Sequence, residues 1–211
     1  MRPETKCIHS GGYFDEGTRG VNTPIFTSSA YEYLDTDARP YPRYFNTPNQ
    51  EAVVSKLCDL ESTEDGILFS SGMAAISTAL LSFLKSGDHL VIQDEVYGGS
   101  HAFVSNHFAQ HGIDYTFASA HAKAIIGAMR PETKVIYIES PTNPLLTVID
   151  IAKIAEFAKI QNIITMIDNT FATPIHQNPF RLGIDIVIHS GTKYLGGHSD
   201  LGVRFYCFHT C

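Results

Sequence analysis

Cysteine is scarce: four thiols, Cys7, Cys58, Cys207 and Cys211, are scattered through 211 residues. This spacing offers no disulfide framework and points to reduced thiols. Cys207, His209 and Cys211 alternate, but so tight a spacing matches no standard zinc motif, and no metal is expected. Positive charge is in deficit, with 15 Lys and Arg against 22 Asp and Glu and a formal net charge of -7. That balance argues against a nucleic-acid partner or an anionic membrane surface, while a single phosphate can still be held by backbone amides and one or two basic residues. No apolar run is long enough to span a bilayer, and the start Met1-Arg2-Pro3-Glu4-Thr5-Lys6 has no signal-peptide h-region. A cytoplasmic location is the resulting expectation. No structural repeat is expected either: Arg-Pro-Glu-Thr-Lys occurs at 2–6 and again at 130–134, in surroundings that do not repeat.

The chain is long enough for one well-buried α/β domain with an arm. Residues 1–48 contain many Gly, Pro, Thr, Tyr and Asn and little periodicity, which predicts an extended arm. From residue 49 the pattern alternates. Helices are expected over 50–60, 71–85, 100–110, 120–129 and 151–160, where apolar residues recur at helical spacing. Strands are expected over 66–69, 89–93, 114–118, 134–139, 163–168 and 185–189. Their apolar runs lack strict alternation, as in strands covered on both faces. The fold class is therefore α/β: a mostly parallel sheet covered by helices on both faces, occupying residues 49–200.

In such sheets ligands sit beyond the carboxyl ends of the strands. Four of those positions carry chemistry. The first strand leads into Ser70-Ser71-Gly72-Met73 at the start of a helix, where a glycine allows close approach and free N–H groups favour an anion. The same pattern also makes plain capped turns. Asp168-Asn169-Thr170 follows a continuous apolar run. A carboxylate there either holds a protonated ring nitrogen or caps the next turn. Ser190-Gly191-Thr192-Lys193 follows the last apolar strand. A lysine among small residues at a strand end can lie partly desolvated and act as an amine nucleophile; the alternative is a solvated surface lysine. Glu139-Ser140-Pro141-Thr142-Asn143-Pro144 forms a proline-fixed turn that projects Asn143 towards the same edge. A phosphate cradle, a strand-end acid and a strand-end lysine, in that order, are what pyridoxal 5'-phosphate (PLP) requires.

With these residues the chain resembles the Cys/Met metabolism family of PLP enzymes, which includes cystathionine γ-synthase, the cystathionine γ- and β-lyases, methionine γ-lyase and the homoserine sulfhydrylases. The resemblance rests on Ser71-Gly72-Met73-Ala74-Ala75, Tyr97-Gly98-Gly99, the 139–144 turn, Asp168-Asn169-Thr170, and residues 185–200 around Lys193. It implies the large domain of a fold-type I PLP enzyme. Lys193 would carry the cofactor as a Schiff base and shuttle the proton. Asp168 would pair with the pyridine nitrogen. Ser71, Gly72, Met73, Thr170, Ser190 and Thr192 would help bind the cofactor, mainly at its phosphate. Tyr97 would stack on the ring and assist proton transfer, and Asn143 would touch the ring hydroxyl or the substrate carboxylate. Tyr41 and Arg43 are similar to an arm element that reaches the phosphate of a neighbouring subunit, which implies a homo-oligomer, a dimer or tetramer. The order Asn46-Thr47-Pro48 departs locally from the family's pattern.

The implied reaction is β- or γ-elimination or replacement on a small amino acid such as cystathionine. Gly98-Gly99-Ser100 stands where methionine γ-lyases usually carry a cysteine, which favours the cystathionine-type enzymes. The 190–198 string and the Tyr97 context disfavour an aminotransferase. After Asp200 the resemblance stops. The expectation is that residues 201–211 are a divergent tail, that the family's C-terminal domain is missing, and that apolar surface is left exposed for association. The alternative activity is a non-catalytic chain that binds PLP or a partner without turnover.

Overall fold

Short apolar runs rich in Ile and Val favour extended backbone, and burial on both faces removes the need for alternation. In the computed structural model, which describes residues 1–37, 40–202 and 204–208 (Arg204 by its backbone), these runs build one sheet. In chain order the elements are α1 (Pro3–His9), α2 (Pro48–Glu61), β1 (Asp65–Phe69), α3 (Gly72–Phe83), β2 (His89–Gln93), α4 (Gly98–His107) and β3 (Asp114–Ala118). Then follow α5 (Ala122–Gly127), β4 (Thr133–Glu139), α6 (Ile151–Ile160), β5 (Ile164–Asp168), α7 (Thr173–His176), β6 (Ile186–Ser190) and β7 (Arg204–Phe208). The sheet order is β1-β7-β6-β5-β4-β2-β3. Strands β2 to β6 run parallel, and β7 is antiparallel to both of its neighbours, β6 and β1. The carboxyl ends of β1 to β6 therefore share one edge.

Two cores sandwich the sheet. One joins Ala75, Ile76 and Leu80 of α3 and Val104 of α4 to Leu90, Ile92, Val135, Tyr137, Met166, Ile186 and Ile188. The other joins Ile125 of α5 and Ile154 and Ala158 of α6 to Val91, Ile136, Ile138, Ile167 and Val187. Helix α2 covers that second face further along, packing Leu57 and Cys58 on Leu68, Phe205 and Cys207. Truncating a fully buried isoleucine such as Ile136 to alanine should cost about 2–5 kcal/mol.

Two expectations need correction. Residues 201–211 are not all outside the domain. Arg204–Phe208 is inserted between β1 and β6, where Phe205 and Cys207 face α2 and Tyr206 joins the opposite core. Its backbone pairs with β1 on one side and β6 on the other, while its alternating side chains serve both cores. His209 and Cys211 lie outside the described residues. The arm, in turn, is not wholly extended. Pro at the first turn and Glu4 start α1, and Lys6 Nζ donates to Asp59 O at 2.6 Å on α2. Gly11 has φ +62°, and an added Cβ would lie 2.1 Å from Lys56 N, so only glycine lets the arm press this close to α2. Helix α2 also starts two residues before the expected 50, at Pro48. Thr47 and Gln50 form a reciprocal capping box there, with Thr47 N–H donating to Gln50 Oε1 at 3.1 Å.

Candidate active site

Side chains alternate across a strand, so parity fixes which face each strand-end residue serves. Glu139 shares a face with Val135 and Tyr137, Asp168 with Met166, and Ser190 with Ile186 and Ile188. That face is the one covered by α3 and α4. The sequence-predicted acid and hydroxyl thus point to the same side of the adjacent strands β5 and β6; Asp168 pairs with Ile188, so Ser190 stands two residues further along the edge.

Asp168 is buried and accepts one hydrogen bond, from Thr170 N–H to Oδ1 at 3.0 Å. Its other oxygen remains for an incoming donor. Thr170 Oγ1 accepts from Ser190 N–H at 2.7 Å, and Asn169 N–H donates to Ile188 O at 2.9 Å. These bonds stitch the end of β5 to the end of β6. Ser190 Oγ and Thr192 Oγ1 lie 3.4 Å apart just beyond.

The start of α3 stands opposite. Phe69 and Ser190 both pair with Arg204, so the ends of β1 and β6 are level, two strand spacings or about 10 Å apart. Ser71 caps α3, its Oγ accepting from Ala74 N–H at 3.2 Å. The N–H groups of Gly72 and Met73 precede any intrahelical partner and carry the positive end of the helix dipole. An anion placed between this helix start and the Ser190–Thr192 hydroxyls would be met by donors from both sides.

Tyr97 and Asn143 are brought together by Glu139, to which sequence reasoning gave no role. Tyr97 N–H donates to Glu139 Oε2 at 2.8 Å, and Asn143 N–H donates to Oε1 at 3.2 Å. Its one sequence signal was an acid ending a buried apolar run, the same signal that singled out Asp168. At Gly99 an added Cβ would lie 2.5 Å from Tyr97 Cε1 and 2.9 Å from Met73 Sδ. Glycine there lets the tyrosine ring and the Met73 side chain close on the start of α4. A planar ring with an anionic tail fits these residues: an aromatic face at Tyr97, an acid at Asp168 and a helix N-terminus for the tail.

Lys193 departs from its expectation of partial desolvation: it is exposed. Its N–H donates to Ser190 O at 3.1 Å in the turn after β6, which holds it at the same edge. Tyr41 and Arg43 sit on an exposed 3-10 turn, Pro42–Tyr44. Arg43 Nη1 bonds Tyr41 Oη, and its guanidinium lies 5.2 Å from the tyrosine ring centroid. Tyr41 N–H donates to Asn46 Oδ1 at 2.7 Å, and Gln50 Nε2 of α2 donates to Pro42 O at 3.1 Å, which ties the turn to α2.

Comparison with known proteins gives the family and the fold. The family described as Cys/Met metabolism PLP-dependent enzyme matches residues 4–204. A cystathionine gamma-lyase of Bacillus subtilis (strain 168) is 44% identical over 204 residues, covering 95% of this chain and 54% of the relative. A cystathionine beta-lyase of Coxiella burnetii is 44% identical over 202 residues, covering 94% of this chain and 52% of the relative. The crystal structure of cystathionine gamma-lyase from Lactobacillus plantarum complexed with L-serine superposes with a TM-score of 0.92 at 37% identity, over 100% of this chain and 55% of that one. The chain spans about half the length of the curated relatives it matches.

Proposed function

Because the chain belongs to the Cys/Met metabolism PLP-dependent enzyme family, we propose that it holds PLP on Lys193 and serves β- or γ-elimination or replacement at a carbon–sulfur bond of a cystathionine-like amino acid. Bound PLP would supply the electron sink that stabilises a carbanion at the substrate Cα, so that a sulfur or oxygen substituent can leave. The protein's own groups do the rest. The Asp168 carboxylate pairs with the pyridine nitrogen and favours its protonated form. The N–H groups of Gly72 and Met73, capped by Ser71, bind the phosphate together with Ser190 and Thr192, and Thr170 holds Asp168 in position. Tyr97 would lie along the ring face, Asn143 would face the ring hydroxyl or the substrate carboxylate, and the Lys193 amine, freed when the substrate's own amine takes its place, would take the proton from Cα.

The observation that carries this reading is the parity and register that put Asp168, Ser190 and the α3 start on one face of one sheet edge. The exposure of Lys193 and Tyr97 favours further walls around the site from a second copy, with Tyr41 and Arg43 reaching the neighbour's phosphate. An apolar cavity of about 1100 Å³ beside α2, lined by Ile25, Val53, Leu57 and Leu60, also suits association into a homo-oligomer. No helix among the described residues is long and apolar enough to cross a membrane.

The test is a PLP titration of the purified chain, followed by assay on cystathionine. Wild type should gain the visible absorbance of lysine-bound cofactor, and Lys193→Ala should not; equal spectra would refute the cofactor assignment. Release of 2-oxo acid, thiol or ammonia would establish turnover. Cofactor binding with no release would favour the second reading, a chain that binds PLP without turnover.

A further inference from the structure

Behind the candidate site lies a buried polar network that no part of the reaction uses. Each strand end that presents a residue to the site presents its chain neighbour to the opposite side. Asp168 faces forward and Asn169 follows it; Ser190 faces forward and His189 precedes it; Glu139 faces forward and Ser140 follows it. Asn169, His189, Ser140 and Glu61 are all fully buried. Glu61 Oε1, at the end of α2, accepts from Asn169 Nδ2 at 3.0 Å and is bonded to His189 Nε2. Gln177 continues the chain: its Nε2 donates to Asn169 Oδ1 and to Ser140 O, each at 2.8 Å. Asn178 Nδ2 closes it by donating to Glu61 O at 2.8 Å. One carboxylate thus ties α2 to the ends of β5 and β6, and Gln177 carries the link on from Asn169 to the end of β4.

Stability alone is a poor account of this arrangement. Glu61 Oε2 and His189 Nδ1 have no hydrogen-bond partner among the described residues, although both are buried. A buried acid with one oxygen unpaired costs free energy that an apolar residue of the same size would not. The network does fix the relative positions of three strand ends, and those ends carry Glu139, Asp168 and Ser190.

We infer that Glu61 is a positioning residue, the hub that sets the spacing of the cofactor-binding strand ends from the far side of the sheet without touching the cofactor. The inference rests on the PLP reading for its purpose but not for its structural test. Removing the carboxylate leaves one Asn169 amide hydrogen and the His189 Nε2 without their shared partner in a buried space, although Asn169 Nδ2 still reaches Gln177 O at 3.1 Å, so the ends of β5 and β6 lose a shared anchor.

The experiment compares Glu61→Ala, Glu61→Gln and Gln177→Ala with Ile125→Ala, a cavity variant in α5 away from the network. Two quantities are read well below the melting temperature: PLP affinity, and hydrogen exchange in peptides spanning 139–143, 166–170 and 186–190 of the cofactor-free chain. Glu61→Ala should weaken PLP about tenfold, the effect of leaving one buried donor unpaired. It should speed exchange in all three peptides. Glu61→Gln keeps an acceptor and should restore most of both. Gln177→Ala cuts the links to Ser140 O and Asn169 Oδ1 but leaves Glu61 bonded to Asn169 and His189; it should weaken PLP about threefold, with exchange rising in 139–143 and 166–170 and not in 186–190. Ile125→Ala should lower the melting temperature and leave both readouts near wild type. Should Glu61→Ala not fold, Glu61→Gln and Gln177→Ala carry the test. The inference is overturned if all variants change affinity and exchange in proportion to lost stability, or if exchange at the three strand ends is unmoved. Absence of PLP binding by wild type would sink the proposed function instead, and the exchange pattern would still decide this one.

Discussion

Two histidines, His89 at the start of β2 and His189 near the end of β6, are both completely buried, at opposite ends of one sheet. His89 is closed on both sides, its Nδ1 2.7 Å from Thr133 Oγ1 and its Nε2 2.9 Å from Thr116 Oγ1. His189 is bonded through Nε2 to Glu61 and has no partner at Nδ1. The contrast extends beyond the pair. Around His89, Arg130 Nη2 donates to Thr116 Oγ1 at 3.0 Å, and Arg130 N–H donates to Thr133 Oγ1 at 2.8 Å. At the carboxyl end Gln93 Nε2, Ser100 Oγ and Glu61 Oε2 are buried without partners among the described residues. Each such atom costs about 1–3 kcal/mol relative to a paired one. The amino end is built for stability, and the carboxyl end keeps polar groups that stability does not explain. Local rules tend to be broken where a protein works.

Mutations on the two ends should therefore separate stability from cofactor binding. His89→Ala removes two hydrogen bonds and a buried ring, and should lower unfolding free energy by about 3 kcal/mol in chemical denaturation. PLP affinity should stay within about twofold, because only the amino end is disturbed. A parallel collapse of affinity would break the comparison. Asp168→Asn should do the reverse: PLP affinity falls about a hundredfold with loss of a charge-assisted bond, while stability shifts by less than about 1 kcal/mol. Ser71→Ala lies between the two, costing about 1 kcal/mol through the lost α3 cap and weakening phosphate retention.

The smallest effect is one of pH. Burial is the main cause that pushes the His89 imidazole below its usual value, helped by the Arg130 charge and opposed by Asp114 and Glu132. The unfolded chain then binds a proton at His89 more readily than the folded one, so stability rises with pH in that window. The contribution is complete above about 6.5, the ordinary histidine value, and is lost as pH falls below it. Melting temperatures of wild type should drop on going from pH 7.5 towards 5.5 more steeply than those of His89→Gln. Identical slopes would show that His89 is not the group responsible.

The parts of this molecule legible in sequence were those set by local pattern. The expected strands at 89–93 and 114–118 and the helix at 151–160 match β2, β3 and α6 residue for residue, because apolar runs and an amphipathic stripe decide them. The loops after the strands were legible for the same reason: each chemical residue follows a run that must end at the ligand edge. Strand β7 was missed because its five residues alternate between two cores and follow a glycine-rich turn with no strong boundary. Helix α1 was missed because seven residues are too few to declare themselves, and Lys6 and Gly11 hold it through contacts with α2. The exposure of Lys193 depends on what lies over its turn, not on its small neighbours in sequence. Glu61 was invisible for the plainest reason: its partner His189 lies 128 residues away, and a single sequence gives no sign of that meeting.

The central claim is that one amine, at the edge shared by Asp168 and Ser190, carries the cofactor. Borohydride reduction of the PLP-treated chain, followed by peptide mapping, tests it most directly. The account predicts the cofactor mass on the peptide containing Lys193 and its absence when Asp168 is replaced by alanine. Label on another lysine, such as Lys56 or Lys85, or label at Lys193 that is indifferent to Asp168, would contradict it.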